Sequence, residues 1–524
     1  MKINLASRSI VAKMLQVGST SFLSKILGIV REILQIRYFG KPGALSDAFS
    51  VAFRIPNIMR KIFAEGALSA ALIPTLVQLR KEDETQLHKL ITLVGMTLTF
   101  VVLLLCIVVV IWAPYVVLFI APGYAQKPLE LSIAVPLVKI LIFFALFISS
   151  AALFTGAMQA KQHFFIPSWG PVILNIAYIT GLVICTRQNL PVGYLAFFLL
   201  LGGFFQAAVF LYAYTHLNLK FSKPDKKTWI NFRQVIFKFI PCLLAIGASE
   251  INLFIDTQFA SILPAGHYTL LNLAYRFMAI ALSVFAVTFS SVLLPYFSKI
   301  SSGAKNRIGF YLLEASKLVL WVTLPVIFFM LFFADDIFYT IFYRCSNQFT
   351  LENVSHGATL LRGFVWALTF YSVNKILLSI FYSRHSTLYP TFVALFGALT
   401  NVFLNWILVP HIGALGLAIA TSCSEIIQTI IFVLGIIYLL KIPIFVWRII
   451  EFFKPLVIQV SSFAALFFVL YYFGTLIFGY STKCSDLVLH HIGLWLWVGP
   501  LFLVLFFLMY KTRRNFDIKI YFFE

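Results

Sequence analysis

Residues 90–113 read LITLVGMTLTFVVLLLCIVVVIWA, 24 consecutive positions without a charged side chain. A helix of about 20 mainly apolar residues crosses the roughly 30 Å hydrocarbon core of a bilayer. This stretch therefore predicts a membrane span, and reading outward from it in units of that length gives fourteen. They lie near residues 14–38, 45–79, 90–113, 131–159, 165–186, 192–216, 234–262, 268–297, 312–334, 356–382, 388–409, 413–440, 455–479 and 491–510. Composition agrees: of 524 residues, 61% are hydrophobic, 17% aromatic and only 11% charged. Soluble domains carry about 25% charged residues, so this chain has too few to cover a water-facing surface. An intrinsically disordered chain, a secreted disulfide scaffold and a cytosolic enzyme with a small anchor are excluded. The expected fold class is an all-α polytopic membrane protein.

The net charge is +21, from 40 Lys+Arg against 19 Asp+Glu. An even number of spans puts both termini on one side, and placing them in the cytoplasm assigns 23 basic residues to cytoplasmic segments and 6 to the opposite loops. This is the asymmetry of the positive-inside rule. The Lys-rich segment 220–233 reads as a topology signal and a contact for anionic membrane lipids, with no nucleic-acid role.

The sequence also repeats. Pro74 in LIPTLVQL and Pro295 in LLPYFSK are 221 residues apart; Met158–His163 with Pro167 and Phe381–Ser386 with Pro390 are offset by 223; Gln206 and Gln428 by 222. Three matches in one order at one offset predict two pseudo-symmetric six-helix lobes of parallel topology, residues 1–217 and 218–441. Residues 442–524 then hold two additional spans and a basic tail. Such internal symmetry is expected of a transporter that alternates access around a central site.

Eleven basic residues remain in or beside spans: Lys25, Arg31, Arg54, Arg60, Lys61, Lys139, Lys238, Arg276, Lys317, Arg362 and Lys375. A charge at the bilayer centre costs at least about 2.5–3.5 kcal/mol, so each needs a partner, a cavity or a route to the interface. Lys139, Lys238, Lys317 and Arg362 lie near span ends, where snorkelling suffices. Lys61 and Arg54 read as anchors at the ends of span 2. Lys25, Arg31, Arg60 and Arg276 are harder to place. Lys25 and Arg31 sit about 120° apart on one helix face, Gly28 between them permits close backbone approach, and Glu32 and Asp47 offer partial neutralisation. A surplus of arginine in a membrane cavity points to an anion, and the planar guanidinium favours phosphate or carboxylate.

Motifs for catalysis are lacking: there is no P-loop, H-E-x-x-H or G-x-S-x-G, and the six cysteines form no C-x-x-C. No resident cofactor is expected, and a transporter reading leads an enzyme reading.

The first two spans are more specific. Ser24–Glu32 (SKILGIVRE), Phe39-Gly40, Ser46–Phe49 (SDAF), residues 51–69 (VAFRIPNIMRKIFAEGALS) and Ile73-Pro74 resemble the N-terminal signature of the MurJ (MviN) family of lipid II flippases, within the multidrug/oligosaccharidyl-lipid/polysaccharide (MOP) exporter superfamily. Residues 121–124 (APGY) are similar to a further family element, and the resemblance extends over all fourteen spans. It implies a protein of the bacterial inner membrane that moves undecaprenyl-pyrophosphate-linked disaccharide-pentapeptide to the outer leaflet for peptidoglycan and cell-wall synthesis. Partners implied are lipid II, membrane lipids and peptidoglycan-synthesis or division proteins. Alternatives are an exporter of another polyprenyl-linked glycan, a membrane-embedded transferase and a division scaffold.

The resemblance places the family's cavity cations on Lys25 (usually Arg), Arg31, Arg60 and Arg276, with Asp47 as the acidic partner. The family commonly has an acidic residue just before the span 8 arginine and another three after it, whereas this chain has Tyr275 and Ala279, so the resemblance does not carry salt-bridge switching over to Arg276. Spans 13 and 14 resemble the family's groove for the polyprenyl tail. Asp256, Asn401, Asn405 and Thr421 look like the Na⁺ site of some members, and four hard oxygens suit that ion.

Overall fold

The computed structural model describes residues 5–63, 67–217, 219–282, 305–346, 348–384, 386, 388–443, 446–478 and 488–521. The FAEGA centre at 64–66 and the second proline element at 293–299 lie outside them. Among the described residues the regular structure is helical, without strands. By packing, the chain divides into two units, Met1–Thr269 and Leu270–Glu524.

The first unit begins with α1 (Leu5–Phe39), α2 (Ala44–Phe63), α3 (Ala67–Glu82) and α4 (Glu84–Ile111). After these come α5 (Ala113–Ile120), α6 (Pro128–Leu141), α7 (Phe144–Ala160) and the short α8 (Phe165–Ser168). Then follow α9 (Gly170–Arg187), α10 (Val192–His216), α11 (Lys226–Ile262) and the start of α12 (His267–Leu282). Within the expected span 2 the described residues form α2 and α3. Span 4 is α6 and α7, which meet at Ile142-Phe143 within one apolar stretch, Pro128–Ala160. Local chemistry sets several ends. Asp83 caps α4 by accepting from the Thr85 and Gln86 amides, and Asp225 opens α11 with a reciprocal capping box to Thr228. Proline in the first turn starts α5, α6 and α9.

Within this unit α1 packs on α9, α2 on α6 and α7, and α10 on α7 and α9. The repeat-based division at 217/218 and the packing-based division at 269/270 differ in the placement of α11. It packs along α3 and α4, and Val235 joins a core with Leu72, Leu76, Leu87 and Met158.

The second unit contains most of α12, then α13 (Lys305–Phe332), α14 (Ala334–Ile341), α15 (Leu351–Ser383), α16 (Leu388–Ile412) and α17 (Ala414–Tyr438). It ends with α18 (Val446–Phe478) and α19 (Val488–Thr512). Helix α17 packs on both α15 and α16, as α10 packs on α7 and α9 in the first unit. The repeated residues occupy matching places. Helix α7 ends at Lys161 and α15 at Arg384, and Gln206 and Gln428 each lie against a glycine of the neighbouring helix. A Cβ on Gly170 would sit 2.6 Å from Gln206 Nε2, and one on Gly397 would sit 2.4 Å from Gln428 Cδ.

Nine helical stretches of the described residues are long and apolar enough to cross a membrane, so the protein is a multi-pass membrane protein. Expected spans 1, 2, 7, 8 and 14 are not among the nine. The first four of these carry Lys25, Arg31, Asp47, Arg60, Asp256 and Arg276.

Candidate anion-binding site

Arg31 lies on the face of α1 that packs on α9, and three groups orient its guanidinium. Nη1 donates to Asn175 Oδ1 at 3.1 Å, Nη2 pairs with Glu32 Oε1 at 2.7 Å, and the group stands over the Tyr178 ring, 5.4 Å from its centroid. Asn175 is fixed in turn by donating to the Ser24 carbonyl at 3.0 Å, and Tyr178 by donating to Gln35 Oε1 at 3.0 Å. This network confirms Glu32 as a neutralising partner. Nε of Arg31 is buried and has no hydrogen-bond partner among the described residues.

Further along α2, Arg54 has both Nε and Nη2 buried without a partner among the described residues. Unsatisfied donors of a buried charge are costly, so two such guanidinium groups mark places where an acceptor is expected. Arg60 donates through Nε and Nη2 to Asn57 Oδ1 at 3.2 and 3.1 Å. It lines a cavity of about 220 Å³ bounded by residues of α7, α8, α9 and α10. Lys25 is exposed on α1. Among the described residues, Gly28 has open space where a Cβ would point.

Three other cations of the unit have protein partners. Lys61 pairs with Glu250 at 2.8 Å, and Lys238 donates to Thr75 Oγ1 at 3.3 Å. Lys127 donates to the Ser261 and Leu263 carbonyls at the end of α11, where a cation complements the helix dipole. Burial lowers the pKa of that amine.

The acidic candidate Asp47 is engaged elsewhere. Its carboxylate accepts from the Gly266 amide at 2.7 Å, the Thr269 amide at 2.9 Å and the Thr269 hydroxyl at 2.6 Å. It thereby satisfies backbone donors at the beginning of α12, as a capping side chain does. Arg276 belongs to the second unit and is exposed on α12. Beside it, Tyr275 lays its ring edge-on against Phe364, and Phe277 packs on Phe338.

Of the oxygen-bearing set, Asn405 donates to Asn401 Oδ1 at 2.8 Å, and Asn401 donates to Thr421 Oγ1 at 3.4 Å, all within the second unit. Asp256 stands on α11 in the first. A buried acid escaped the sequence reading: Glu425 on α17, which accepts from Asn374 Nδ2 at 2.8 Å and Gln428 Nε2 at 3.1 Å. Asn175 and Tyr178 escaped it too, because attention to formal charge passes over the amides and phenols that orient a charge. A polar residue in the apolar run ILNIAYI was the available signal.

A family model described as "Lipid II flippase MurJ" matches residues 36–488. The lipid II flippase MurJ of Burkholderia cenocepacia is 27% identical over 430 residues, covering 81% of this chain and 83% of its own. The probable lipid II flippase MurJ of Aquifex aeolicus is 30% identical over 397 residues, covering 73% and 76%. Among solved structures, a lipid II flippase MurJ in an inward closed conformation superposes with a TM-score of 0.76 at 22% identity, covering 95% of this chain and 99% of that one. An inward-facing multidrug resistance MATE transporter of the MOP superfamily gives 0.66 at 13%, covering 80% and 95%. These two likenesses concern the fold.

Proposed function

We propose, for a chain that belongs to the MurJ family of lipid II flippases, that Arg31, Arg54 and Arg60 of the first unit receive the pyrophosphate of the lipid. The protein is a transporter of lipid II in peptidoglycan synthesis and not an enzyme. The observation that carries the residue assignment is the pair of guanidinium groups, Arg31 and Arg54, with buried N–H donors and no acceptor among the described residues. A pyrophosphate offers several acceptor oxygens on two charged groups and accepts bidentate bonds from such forks. Guanidinium groups then replace its hydration shell inside the membrane. Lys25 and Arg276 belong to the same proposal as supplementary cations, and Asp47 as a residue that supports the site through the start of α12.

In this reading the head group enters from the cytoplasmic leaflet and leaves on the outer side by alternating access. The protein sits in the bacterial inner membrane, with both termini cytoplasmic and peptidoglycan-synthesis and division proteins nearby. The polyprenyl tail lies along α18 and α19, whose Val460, Phe463, Phe467, Phe502 and Phe506 line an apolar recess with Phe328 and Phe329 of α13. Sodium coupling is a further part of the proposal. Asp256, Asn401, Asn405 and Thr421 are 7%, 0%, 0% and 3% exposed, and buried carboxylate, amide and hydroxyl oxygens suit Na⁺. The ion would supply electrochemical driving force. Replacing Na⁺ by K⁺ in a transport assay tests this part, with slowed transport expected.

The residue assignment is tested by complementation. Arg31→Ala and Arg54→Ala are expected to fail to rescue a cell depleted of its flippase at normal protein level, and rescue by both removes the assignment.

A further inference from the structure

Gln459 is a polar residue in the apolar run PLVIQV (455–460) of α18, and it is 0% exposed. A buried carboxamide is costly unless it is hydrogen-bonded. Here both of its ends are used. Trp321 of α13 donates Nε1 to Gln459 Oε1 at 3.0 Å, and Gln459 donates Nε2 to the Met509 carbonyl of α19 at 2.8 Å. Met509 stands in the last turn of α19, where carbonyls run out of intrahelical partners. One side chain thus ties three helices together and supplies a donor to the end of one of them.

The tie stands at one end of the apolar recess assigned above to the polyprenyl tail. The lining begins in α18 at Val460, next to Gln459, and in α13 at Pro325, about one turn after Trp321; in α19 it ends at Met509 itself. From Met509 to Phe502 it runs along about 10 Å of helix. Beyond the tie, Phe452, Leu456, Ile518 and Ile520 form a buried core with Trp321 and Met509. The C-terminal segment enters this core by turning at Asp517, which has a positive φ of 56°, with the Ile518 amide bonded to the Arg513 carbonyl at 2.9 Å. The recess therefore has a floor, made of the Gln459 tie and the core packed under it. Apolar contacts are non-directional and allow neighbouring turns of α18 and α19 to exchange partners. A side-chain hydrogen bond between membrane helices adds little to overall stability. What a fully bonded buried polar group supplies is a single arrangement. The two bonds of Gln459 select which turn of α19 meets which turn of α18 at the floor.

We infer that Gln459 is a positioning residue for the polyprenyl tail: its two bonds hold α13, α18 and α19 in the one register that shapes the floor of the recess. The inference rests on the tail reading given above and extends it to the residue that forms the receiving surface. Purified full-length protein in nanodiscs is titrated with lipid II and with an analogue that keeps the disaccharide-pentapeptide and pyrophosphate but carries a methyl group in place of the polyprenyl chain. Wild type is expected to bind lipid II more tightly. Gln459→Leu fills similar space without the bonds; it should weaken lipid II binding about 3- to 10-fold and leave the analogue unchanged. Trp321→Phe removes the indole donor and should act in the same direction. A merely structural role would weaken both ligands alike, so equal weakening overturns the inference, and so does lipid II binding unchanged in both variants. Wild-type protein that binds the two ligands equally removes the tail reading and the inference with it. Wild-type protein that binds neither overturns the substrate reading itself.

Discussion

Arg31 shows how a membrane helix holds an arginine in place. Glu32 supplies one carboxylate, Asn175 one amide oxygen and Tyr178 a π face, and Nε is still left over. The network fixes the fork and leaves that donor for an acceptor, which is preorganisation for an anion. Arg31→Lys keeps the charge and loses the fork, so we expect lipid II binding to fall about 10- to 100-fold in a titration, within the range for charge-assisted hydrogen bonds. Asn175→Leu keeps the arginine and releases its orientation, and should cost several-fold. The two changes act on one interaction, so the double variant should lose less than the sum of the singles. Strict additivity would separate Asn175 from the site. The candidate cations were legible from the bilayer's intolerance of charge. Which of them were spare was not, because Lys61 finds Glu250 189 positions away and Lys127 finds the end of α11. The backbone amides at the start of α12 that Asp47 accepts from were not legible either, because sequence pairs an acid with nearby cations.

At the scale of elements, two junctions outside the spans hold helices in place. Asp225 caps α11, pairs with Lys89 of α4 at 2.7 Å and accepts from Gln86 at 2.7 Å. These contacts, the Lys89 bond first, hold its carboxyl well below the usual carboxylate range. A depressed pKa in the folded state means the junction's stabilisation is present above the unfolded value near 4 and is lost as pH falls through the folded value. Amide exchange across 219–228 should accelerate on acidification below that point, and Asp225→Asn should show the faster exchange already at pH 7 and remove the pH dependence. The second junction is the C-terminal segment. Ile518 and Ile520 are both 0% exposed against a core with Trp321, Phe452 and Leu456, and the Tyr521 amide donates to buried Glu314 at 2.7 Å. Truncating buried aliphatic side chains costs about 2–5 kcal/mol each. Ile518→Ala with Ile520→Ala should therefore lower the unfolding temperature in detergent by several degrees, whereas exposed Lys519→Ala should not. Sequence described this tail only as basic, since the apolar residues alternate with charged ones and resemble an interfacial segment.

For the whole chain, hydrophobic run length gave the all-helical membrane class, and the offset near 222 residues pointed to Gln206 and Gln428, each of which lies against a glycine of a neighbouring helix. The span expected at 131–159 is formed by α6 and α7, which meet at Ile142-Phe143 inside a single membrane-length apolar stretch, Pro128–Ala160. The placement of α11 was hidden. A repeat records a pattern along the chain, while packing records which elements come together, and Val235 shares a core cluster with Leu72 and Met158. The account's central claim is that spare guanidinium donors in the first unit carry the pyrophosphate of lipid II. Its most direct test is the flux of labelled lipid II across proteoliposomes containing wild type, Arg31→Ala, Arg54→Ala and, as a cationic control engaged by a protein carboxylate, Lys61→Ala with Glu250→Ala. The account predicts flux by wild type, near-background flux by both arginine variants and substantial flux by the double control. Arginine variants that move lipid II as fast as wild type would contradict it.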